Sequence, residues 1–349
     1  MKILLISVSS QVSRGGIAVW TDRFLEKCGS HGIEYDLVNT ETVGKRREQS
    51  TVKLNLFDET TRTKRIFADL KKFLKSGEAY NAAHLNTSCG TFGLFRDYIC
   101  AKRIKKKGIR LVTHFHCDVP YWIGNPISRR YLGKLVSLSD ECLVLCENSR
   151  AYLEENFSKT SHKLPNFLDE SMVFDGEKRI TETVNTVFFV GRVEEAKGAR
   201  EIFELAGRFP RIRFRLVGDV NENIAAWDKP QNVELVGGLP HAQALAEMDN
   251  ADVFLFPSHS EGFSLALTEA MARGLPCIAT DVGANADMLE GECGIIVPKG
   301  DVDAMDGALK TLLDCQTRME ISRNAINKVR EHYTTDNVIL ELKKFYLES

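Results

Sequence analysis

The stretch TVFFVGRVEEAKGAREIFELA at 186–206 decides the fold class. It opens with a short apolar, β-branched and aromatic run, passes through a loop that contains Gly191 and Gly198, and continues with a helical period. A buried strand followed at once by an amphipathic helix is half of a βαβ unit. Repeated units of this kind favour parallel sheets that are covered by helices on both faces.

The same alternation extends along the rest of the chain. The other strands are predicted near 2–8, 34–38, 51–57, 80–86, 109–115, 140–146, 213–217, 233–237, 252–257, 276–280 and 294–298. First-half helices are predicted near 17–30, 61–76, 92–107 and 148–156. The 349 residues are enough for about two domains.

The predicted fold is therefore α/β, with two doubly wound Rossmann-like domains facing across a cleft. The polar stretch 165–183 has no amphipathic period and is typical of a linker. It separates an N-terminal domain at 1–166 from a C-terminal domain at 184–335. Residues 336–349 are predicted as a last helix that packs back on the first domain.

Composition excludes several classes of protein. The net charge of −2 gives no basic field for nucleic acid. No apolar run reaches the roughly 18–20 residues that span a bilayer, and MKILLISVSS is better explained as a first strand than as a signal peptide. Nine scattered cysteines without a CxxC pair predict neither a disulfide framework nor a zinc site, and they favour a reducing cytoplasm.

Two cations follow the strand at 186–190. Arg192 and Lys197 emerge from a strand-to-helix loop, where a guanidinium fork and an ammonium point charge suit a diphosphate. The alternative is a pair of solvated cations around Glu194 and Glu195.

A second pattern, SEGFSLALTEAMARGLPCIATDVG, occupies 260–283. Gly262, Phe263 and Ser264 are predicted to open a helix, whose unpaired N–H groups attract phosphate. Glu269 follows Glu261 by eight residues, which places it about 80° further around the helix, where a carboxylate can accept both ribose hydroxyls. The alternative is that the two glutamates only cap and solvate the helix.

Together these motifs resemble family 4 of the retaining glycosyltransferases, which have the two-domain GT-B fold. GR-x4-KG and E-x7-E occur in the family's order, and PS-x2-EGF and EAMARGLP surround the second motif. The resemblance covers nearly the whole chain and is strongest over 186–300. It implies that Arg192 and Lys197 bind the donor diphosphate and that Glu269 binds the ribose. It also implies that Glu261, with the 262–264 backbone, faces the donor sugar and phosphates.

The resemblance implies three further contacts. The base is expected near Gly218, Asp219 and the turn from Val236 to Leu239. The loop with Gly15 and Gly16 is expected to close over the donor. In THFHCD at 113–118, the resemblance points to His116, with His114 as the competing choice, as a histidine that touches the donor sugar or organises the acceptor. Apart from the resemblance, Asp118 follows directly and is expected to receive or orient the acceptor hydroxyl proton.

Two patterns imitate metal sites. H-x-H-x-D at 114–118 is followed by Val119 rather than by a further histidine, and the other histidines form no second cluster. Asp301-Val302-Asp303 precedes an amphipathic run, which makes Asp301 a predicted helix N-cap. Neither pattern is therefore expected to bind a metal ion. No cofactor is expected either, because the nucleotide sugar is a substrate.

One basic run, from Lys102 to Arg110, has six cations in nine residues. It could rest on an anionic membrane and suit a lipid-linked acceptor. The alternative is a solvated helix end with a favourable dipole interaction.

The resemblance implies metal-independent hexosyl transfer with retention, and UDP-sugars are favoured over GDP-sugars on family frequency. His116, Asp118 and Glu261 are the expected catalytic residues. The acceptor is expected to be a glycan or glycolipid, in polysaccharide or cell-surface glycan synthesis. The alternatives are a sugar-nucleotide 2-epimerase on the same fold and a non-catalytic nucleotide-sugar binder.

Overall fold

The computed structural model describes residues 1–9, 15–44, 55–176 and 178–347. The chain divides into two compact units, each of which has, within these residues, one six-stranded parallel sheet. The first unit contains Met1–Asn166 and the segment that begins at Thr335, and the second contains Phe167–Thr334. The predicted α/β class with two doubly wound parallel sheets is confirmed.

The sheet of the first unit has the strand order β2-β1-β3-β4-β5-β6. Its strands are β1 Lys2–Ser7, β2 Glu34–Asn39, β3 Ala82–Thr87, β4 Arg110–Phe115, β5 Glu141–Val144 and β6 His162–Lys163. Its helices are α1 Gly16–Lys27, α2 Leu56–Phe73, α3 Thr91–Lys105, α4 Val119–Trp122, α5 Pro126–Leu138, α6 Glu147–Phe157 and, at the end of the chain, α14 Thr335–Leu347.

The sheet of the second unit has the order β12-β11-β10-β7-β8-β9. Its strands are β7 Thr186–Val190, β8 Arg213–Val217, β9 Val233–Gly237, β10 Val253–Phe256, β11 Cys277–Thr280 and β12 Ile295–Val297. Its helices are α7 Ala199–Arg208, α8 Glu222–Ala225, α9 His241–Asp249, α10 Leu265–Ala272, α11 Asn285–Leu289, α12 Val302–Thr311 and α13 Cys315–His332.

The strand order reverses once in each sheet, between β1 and β3 and between β7 and β10. Loops that leave the carboxyl ends of strands at such a point diverge and leave room for a ligand. The loops after β7 and β10 contain five of the twelve residues predicted to bind the donor, and also Glu261. The loop after β4, one strand beyond the first reversal, contains His116 and Asp118.

The sequence pattern predicted most helices and strands correctly. In the first unit, one predicted strand is partly wrong and two helices were not predicted. The strand predicted at 51–57 is wrong at 56–57, where α2 begins and the Asn55 side chain caps it by accepting from Phe57 N–H; residues 51–54 lie outside the described ranges. The helices α4 and α5 were not predicted. Their start signals are Pro120 and Pro126, each within the first two helical positions, and Asn125, which caps α5.

The stretch predicted as a linker packs with the second unit instead. Leu168 is buried, forms a parallel bridge with Thr334, and donates its N–H to the Tyr333 carbonyl at 2.8 Å. The buried Arg318 donates to the Thr181 carbonyl at 2.7 Å. Polar composition concealed these contacts because most of them use backbone atoms, which a sequence pattern does not show.

The last helix, α14, lies in the first unit with six buried side chains. The Tyr346 hydroxyl donates to His84 Nδ1 at 2.6 Å, which connects the chain end to the middle of the first sheet. The nine cysteines all fall within the described ranges as free thiols, and all but the half-buried Cys315 are buried.

Candidate active site

Two loops at the reversal point of the second sheet bring opposite charges together. Lys197 lies in the loop after β7, and Glu261 lies in the loop after β10. The Lys197 Nζ is 2.5 Å from Glu261 Oε1, and the two side chains are 22% and 13% exposed. An ammonium group has three N–H donors, so this single bond leaves donors for a second anion at the same place.

Glycines allow these loops to approach one another closely. Gly198 has a φ of 83°, and a Cβ there would collide with the Pro257 carbonyl oxygen. Gly283, in the loop after β11, has a φ of 56°, and a Cβ there would collide with the backbone of Glu261. Both positions therefore exclude other residues on conformational and steric grounds.

His259, which sequence analysis did not identify as a site residue, connects the same two loops. His259 Nε2 is 2.7 Å from Glu201 Oε1, and the His259 N–H donates to the Ala196 carbonyl at 3.0 Å. Glu201 lies in the first turn of α7 and is buried. The position of His259 inside PS-x2-EGF was a usable signal, but its partner lies 58 residues away in the chain.

The loops after β7, β8 and β9 pack backbone against backbone. A Cβ on Gly218 would collide with the Gly191 carbonyl, and Val193 N–H donates to the Asp219 carbonyl at 2.9 Å. A Cβ on Gly238 would lie 2.8 Å from Asp219 Oδ1. This edge of the sheet, here called the backbone shelf, is therefore built from close main-chain contacts between these loops.

Glu269 lies on α10 beside the end of this shelf. Its Oε1 is 3.0 Å from Nε2 of His241, the first residue of α9, and its side chain is 12% exposed. The turn from Val236 to Leu239 directly precedes α9, so Glu269 and the turn are brought to the same place.

The segment from Gly262 to Ser264 precedes α10 rather than forming its first turn, which corrects the prediction. Ser264 is the N-cap, and its hydroxyl accepts from Leu267 N–H at 3.1 Å. The Phe263 side chain is buried with its ring centroid 5.5 Å from that of Tyr333. Only backbone groups of Phe263 are therefore available to a ligand.

Arg192 and the two N-terminal glycines are more exposed than Lys197 and Glu261. The Arg192 side chain is 59% exposed and pairs with Glu194 at 3.0 Å. Gly15 caps α1 with a φ of −70°, which any residue adopts, and a Cβ on Gly16 would meet none of the described residues within 4 Å. The two glycines are exposed, and the backbone conformation of Gly15 does not require a glycine.

In the first unit, Asn86 connects two histidines, the buried His84 and the partly exposed His116. Its Oδ1 accepts from His84 Nε2 at 2.8 Å and from His116 Nε2 at 2.9 Å, while its Nδ2 donates to Ser7 Oγ at 2.8 Å. An amide oxygen only accepts, so both rings carry hydrogen on Nε2. Nδ1 of neutral His84 is then the acceptor that Tyr346 requires.

His114 and His116 differ in surroundings although both project from the same part of β4. Their ring centroids are 3.9 Å apart, and both rings lie edge-on to Trp20. His114 is fully buried within β4, whereas His116 lies just beyond the strand and is partly exposed. Burial lowers the pKa of His84 to about 4 and that of His116 to about 3, and the pKa of His114 falls well below its usual range.

Asp118 is held by the start of α6. Its carboxylate accepts from Asn148 Nδ2 at 3.0 Å and from Ser149 Oγ at 3.5 Å. Partial burial raises the pKa of Asp118, although these hydrogen bonds act in the opposite direction. A half-buried carboxylate with a raised pKa, two residues from His116, is able to exchange a proton with a ligand.

Three of the six cations in the basic run at 102–110 make contacts within the first unit. Lys105 Nζ is 2.6 Å from Asp140 Oδ2, Arg110 Nη2 is 2.8 Å from Glu141 Oε1, and Arg103 stacks over the Phe67 ring at 4.2 Å. Its exposed cations are Lys102, Lys106 and Lys107.

The predicted cap at Asp301 is confirmed, since its side chain accepts from Ala304 N–H at 2.9 Å. Among the described residues, no three His, Cys, Asp or Glu side chains are grouped so as to hold a metal ion. Within the same ranges, no helix combines the length and the apolar character that crossing a bilayer requires.

Comparison with known proteins finds related glycosyltransferases. Residues 173–331 match the family described as glycosyl transferases group 1. The 2-deoxystreptamine N-acetyl-D-glucosaminyltransferase of Niallia circulans is 26% identical over 347 residues, covering 85% of this chain and 88% of that protein. The phosphatidyl-myo-inositol mannosyltransferase of Mycolicibacterium smegmatis is 28% identical over 222 residues, covering 59% of this chain and 56% of that protein.

Solved structures resemble the whole chain. Sucrose-phosphate synthase from Thermosynechococcus elongatus has a TM-score of 0.76 at 17% identity, with 99% of this chain and 98% of that one covered. Anabaena HepE in complex with UDP and glucose has a TM-score of 0.69 at 15% identity, with the same shares covered. At such identities the likeness shows the fold alone.

The fold and these matches define the protein as a GT-B glycosyltransferase, an enzyme that transfers sugars. Its second unit carries the domain of the glycosyl transferases group 1 family, and the resemblance to glycosyltransferase family 4 is confirmed.

Proposed function

We propose that this enzyme moves a hexosyl unit from a nucleotide sugar to a glycan or glycolipid acceptor, with retention at the anomeric carbon and without a metal ion. The observation that supports this most is the Lys197–Glu261 pair, 2.5 Å apart at the reversal point of the second sheet. A protein cation at that point can serve the leaving diphosphate in place of a metal.

The donor would lie along the carboxyl edge of the second sheet. The base would occupy the backbone shelf formed by Gly218, Asp219 and the 236–239 turn, and Glu269 would accept the ribose hydroxyls. Lys197, with Arg192 after rotation away from Glu194, would contact the diphosphate. The structure of the similarly folded protein HepE was solved with UDP and glucose, and this favours a UDP-hexose as the donor.

In the proposed reaction, the bond between the anomeric carbon and the phosphate oxygen breaks, and its electron pair leaves with the nucleoside diphosphate. The acceptor oxygen bonds to the same face of the anomeric carbon, and its proton passes to the departing phosphate oxygen. Lys197 and the N–H groups ahead of α10 stabilise the charge that develops there. His116 and Asp118 would position the sugar and the acceptor hydroxyl.

The proposed acceptor bears on where the enzyme works in the cell. A cytoplasmic enzyme at the inner face of the membrane would suit a lipid-linked acceptor. A membrane contact through 102–110 would depend on Lys102, Lys106 and Lys107, because the other cations of that run are engaged within the fold.

The test is a donor screen with the full chain. UDP-, GDP- and ADP-hexoses are compared by thermal shift and then by release of nucleoside diphosphate with candidate acceptors in the presence of EDTA. We expect the strongest stabilisation and metal-independent release with a UDP-hexose. Mass spectrometry that shows an epimerised UDP-sugar without release would identify an epimerase, and binding without any turnover would identify a non-catalytic binder.

A further inference from the structure

Five large apolar side chains are exposed at the beginning of three helices in the first unit. Phe92, Phe95, Tyr121, Trp122 and Ile127 are 56%, 42%, 60%, 54% and 61% exposed. Scattered single exposures need no explanation, but a contiguous apolar patch on a folded protein marks an interaction surface.

These side chains form one surface, here called the aromatic strip. The Asn125 side chain, at the start of α5, donates to Thr91 Oγ1 at 3.3 Å, which joins the first turns of α3 and α5. The Phe95 ring lies 5.1 Å from that of Tyr131, one turn along α5 from Ile127. Tyr121 and Trp122 end α4, three residues before Asn125.

The charges on α4 and α5, which carry three of the five residues of the strip, have one sign. Residues 119–138, which include α4 and α5, contain Arg129, Arg130 and Lys134 and no Asp or Glu. Arg129 and Arg130 are exposed, and the Lys134 ammonium lies 5.3 Å from the centre of the Tyr131 ring. Exposed tryptophan and tyrosine side chains beside such cations have the composition of surfaces that lie in the interface of anionic bilayers.

We propose that the aromatic strip docks the first unit on a bilayer that contains anionic phospholipid. The aromatic rings would enter the headgroup region, and Arg129 and Arg130 would meet lipid phosphates. This surface is distinct from the basic run at 102–110, which lies at the opposite end of α3, about 20 Å away along the helix. The proposal does not depend on the identity of the donor or on retention.

Trp122 supplies a probe for the test. Of the three tryptophans, Trp20 is buried and Trp227 belongs to the second unit, where its ring centroid lies 6.1 Å from that of Phe203. The full chain is titrated with vesicles of phosphatidylcholine, with and without phosphatidylglycerol. We expect binding that requires the anionic lipid, a blue shift of tryptophan emission, and quenching by brominated lipid.

Variants decide which surface binds. We expect F92N/I127N, which keeps Trp122, to reduce vesicle partition roughly tenfold or more, and R129Q/R130Q to reduce the preference for anionic lipid. The matched control is L313N/M319N, which changes two apolar residues of similar exposure, 43% and 49%, in the second unit. UDP-sugar binding, measured on each variant, should stay unchanged, so that a failure here is separable from a failure of the proposed function.

Three outcomes would overturn the proposal. The first is unchanged partition in F92N/I127N together with loss in K102Q/K106Q/K107Q, which would assign the contact to the basic run. The second is no anionic-vesicle binding by the wild-type chain. The third is light scattering that shows a dimer which only F92N/I127N dissociates, with no lipid effect, because the strip would then join two copies of the chain.

Discussion

At the scale of single residues, the Lys197–Glu261 pair explains how a cation can be kept ready for an anionic ligand. Glu261 accepts one ammonium donor and holds the flexible side chain in place, and the partial burial of both groups limits screening by water. The pair therefore holds a cation in a defined position where an anionic ligand could meet it.

The first prediction concerns this cation. We expect K197A to lower kcat by about 10²–10³-fold, because it removes a donor that acts where charge develops in the transition state, with little change in Tm. K310A is the matched control, since Lys310 pairs with Asp306 on an exposed face of the same unit. Full activity of K197A would contradict the assignment.

The second prediction concerns Glu269. We expect E269Q to weaken UDP binding about tenfold or more, because a charged acceptor for the ribose hydroxyls is lost. Calorimetry with UDP and with 2′-deoxy-UDP separates this role from a structural one. The wild-type chain should discriminate between the two nucleotides, and E269Q should do so much less. Equal discrimination by both proteins would remove Glu269 from the ribose site.

At the scale of elements, loops joined across the sheet position the site. His259 joins the loop after β10 to the start of α7, and the absence of a side chain at Gly198 allows the same loops to meet at Pro257. Breaking the His259–Glu201 contact would release the loop that contains Glu261. Glu201 is a positioning residue in this view, because its carboxylate contacts His259 and acts on the Lys197–Glu261 pair only through the loop that His259 belongs to.

The third prediction follows from this connection. We expect E201A to lower kcat about tenfold or more with a smaller change in KM, since misplacement of the catalytic groups costs more in the transition state than in the ground state. E201Q keeps an oxygen acceptor and should recover part of the loss. H332Q, at an exposed histidine of the same unit, is the control. Equal losses in E201A and E201Q would contradict a positioning role.

Sequence pattern identified elements better than it identified contacts. Strands at 186–190, 213–217 and 233–237 match their observed bounds. The first is an almost continuous apolar run, and the other two combine apolar, β-branched residues with charged ones that are exposed or half-buried. The motifs also located Lys197 and Glu261 on loops that meet. The partners His241 of Glu269 and His259 of Glu201 were not foreseen, because they lie 28 and 58 residues away and no local period records such pairs.

At the scale of the whole molecule, the helix α14 packs into the first unit, although it follows the second unit in sequence. Tyr346, from α14, donates to His84, which donates to Asn86, and Asn86 also accepts from His116. A candidate catalytic histidine is thereby connected, through buried hydrogen bonds, to a helix some 230 residues later in sequence. This arrangement makes the first unit sensitive to the protonation of its histidines.

The last prediction is a pH dependence of stability that originates in the first unit. The ordinary pKa of histidine is near 6.5, whereas burial lowers the pKa to about 4 in His84 and about 3 in His116 and also lowers it in His114. Between about pH 6.5 and 4 the unfolded chain therefore binds protons that the folded chain does not, so the free energy of unfolding falls as the pH falls. The raised pKa values of Asp97 and Asp118 oppose this trend near the acid end.

Urea unfolding between pH 7.5 and 4.5 measures this slope. Each buried neutral histidine contributes at most about 1.4 kcal/mol per pH unit. H116N should therefore make the decline shallower by up to that amount, while H332N, at an exposed histidine, should leave the slope unchanged. Equal slopes in H116N and the wild-type chain would show that His116 is free to bind a proton in the folded state. The neutral state of His116 at low pH would then be wrong, although its Nε2–H could still donate to Asn86, because an imidazolium carries hydrogen on both ring nitrogens.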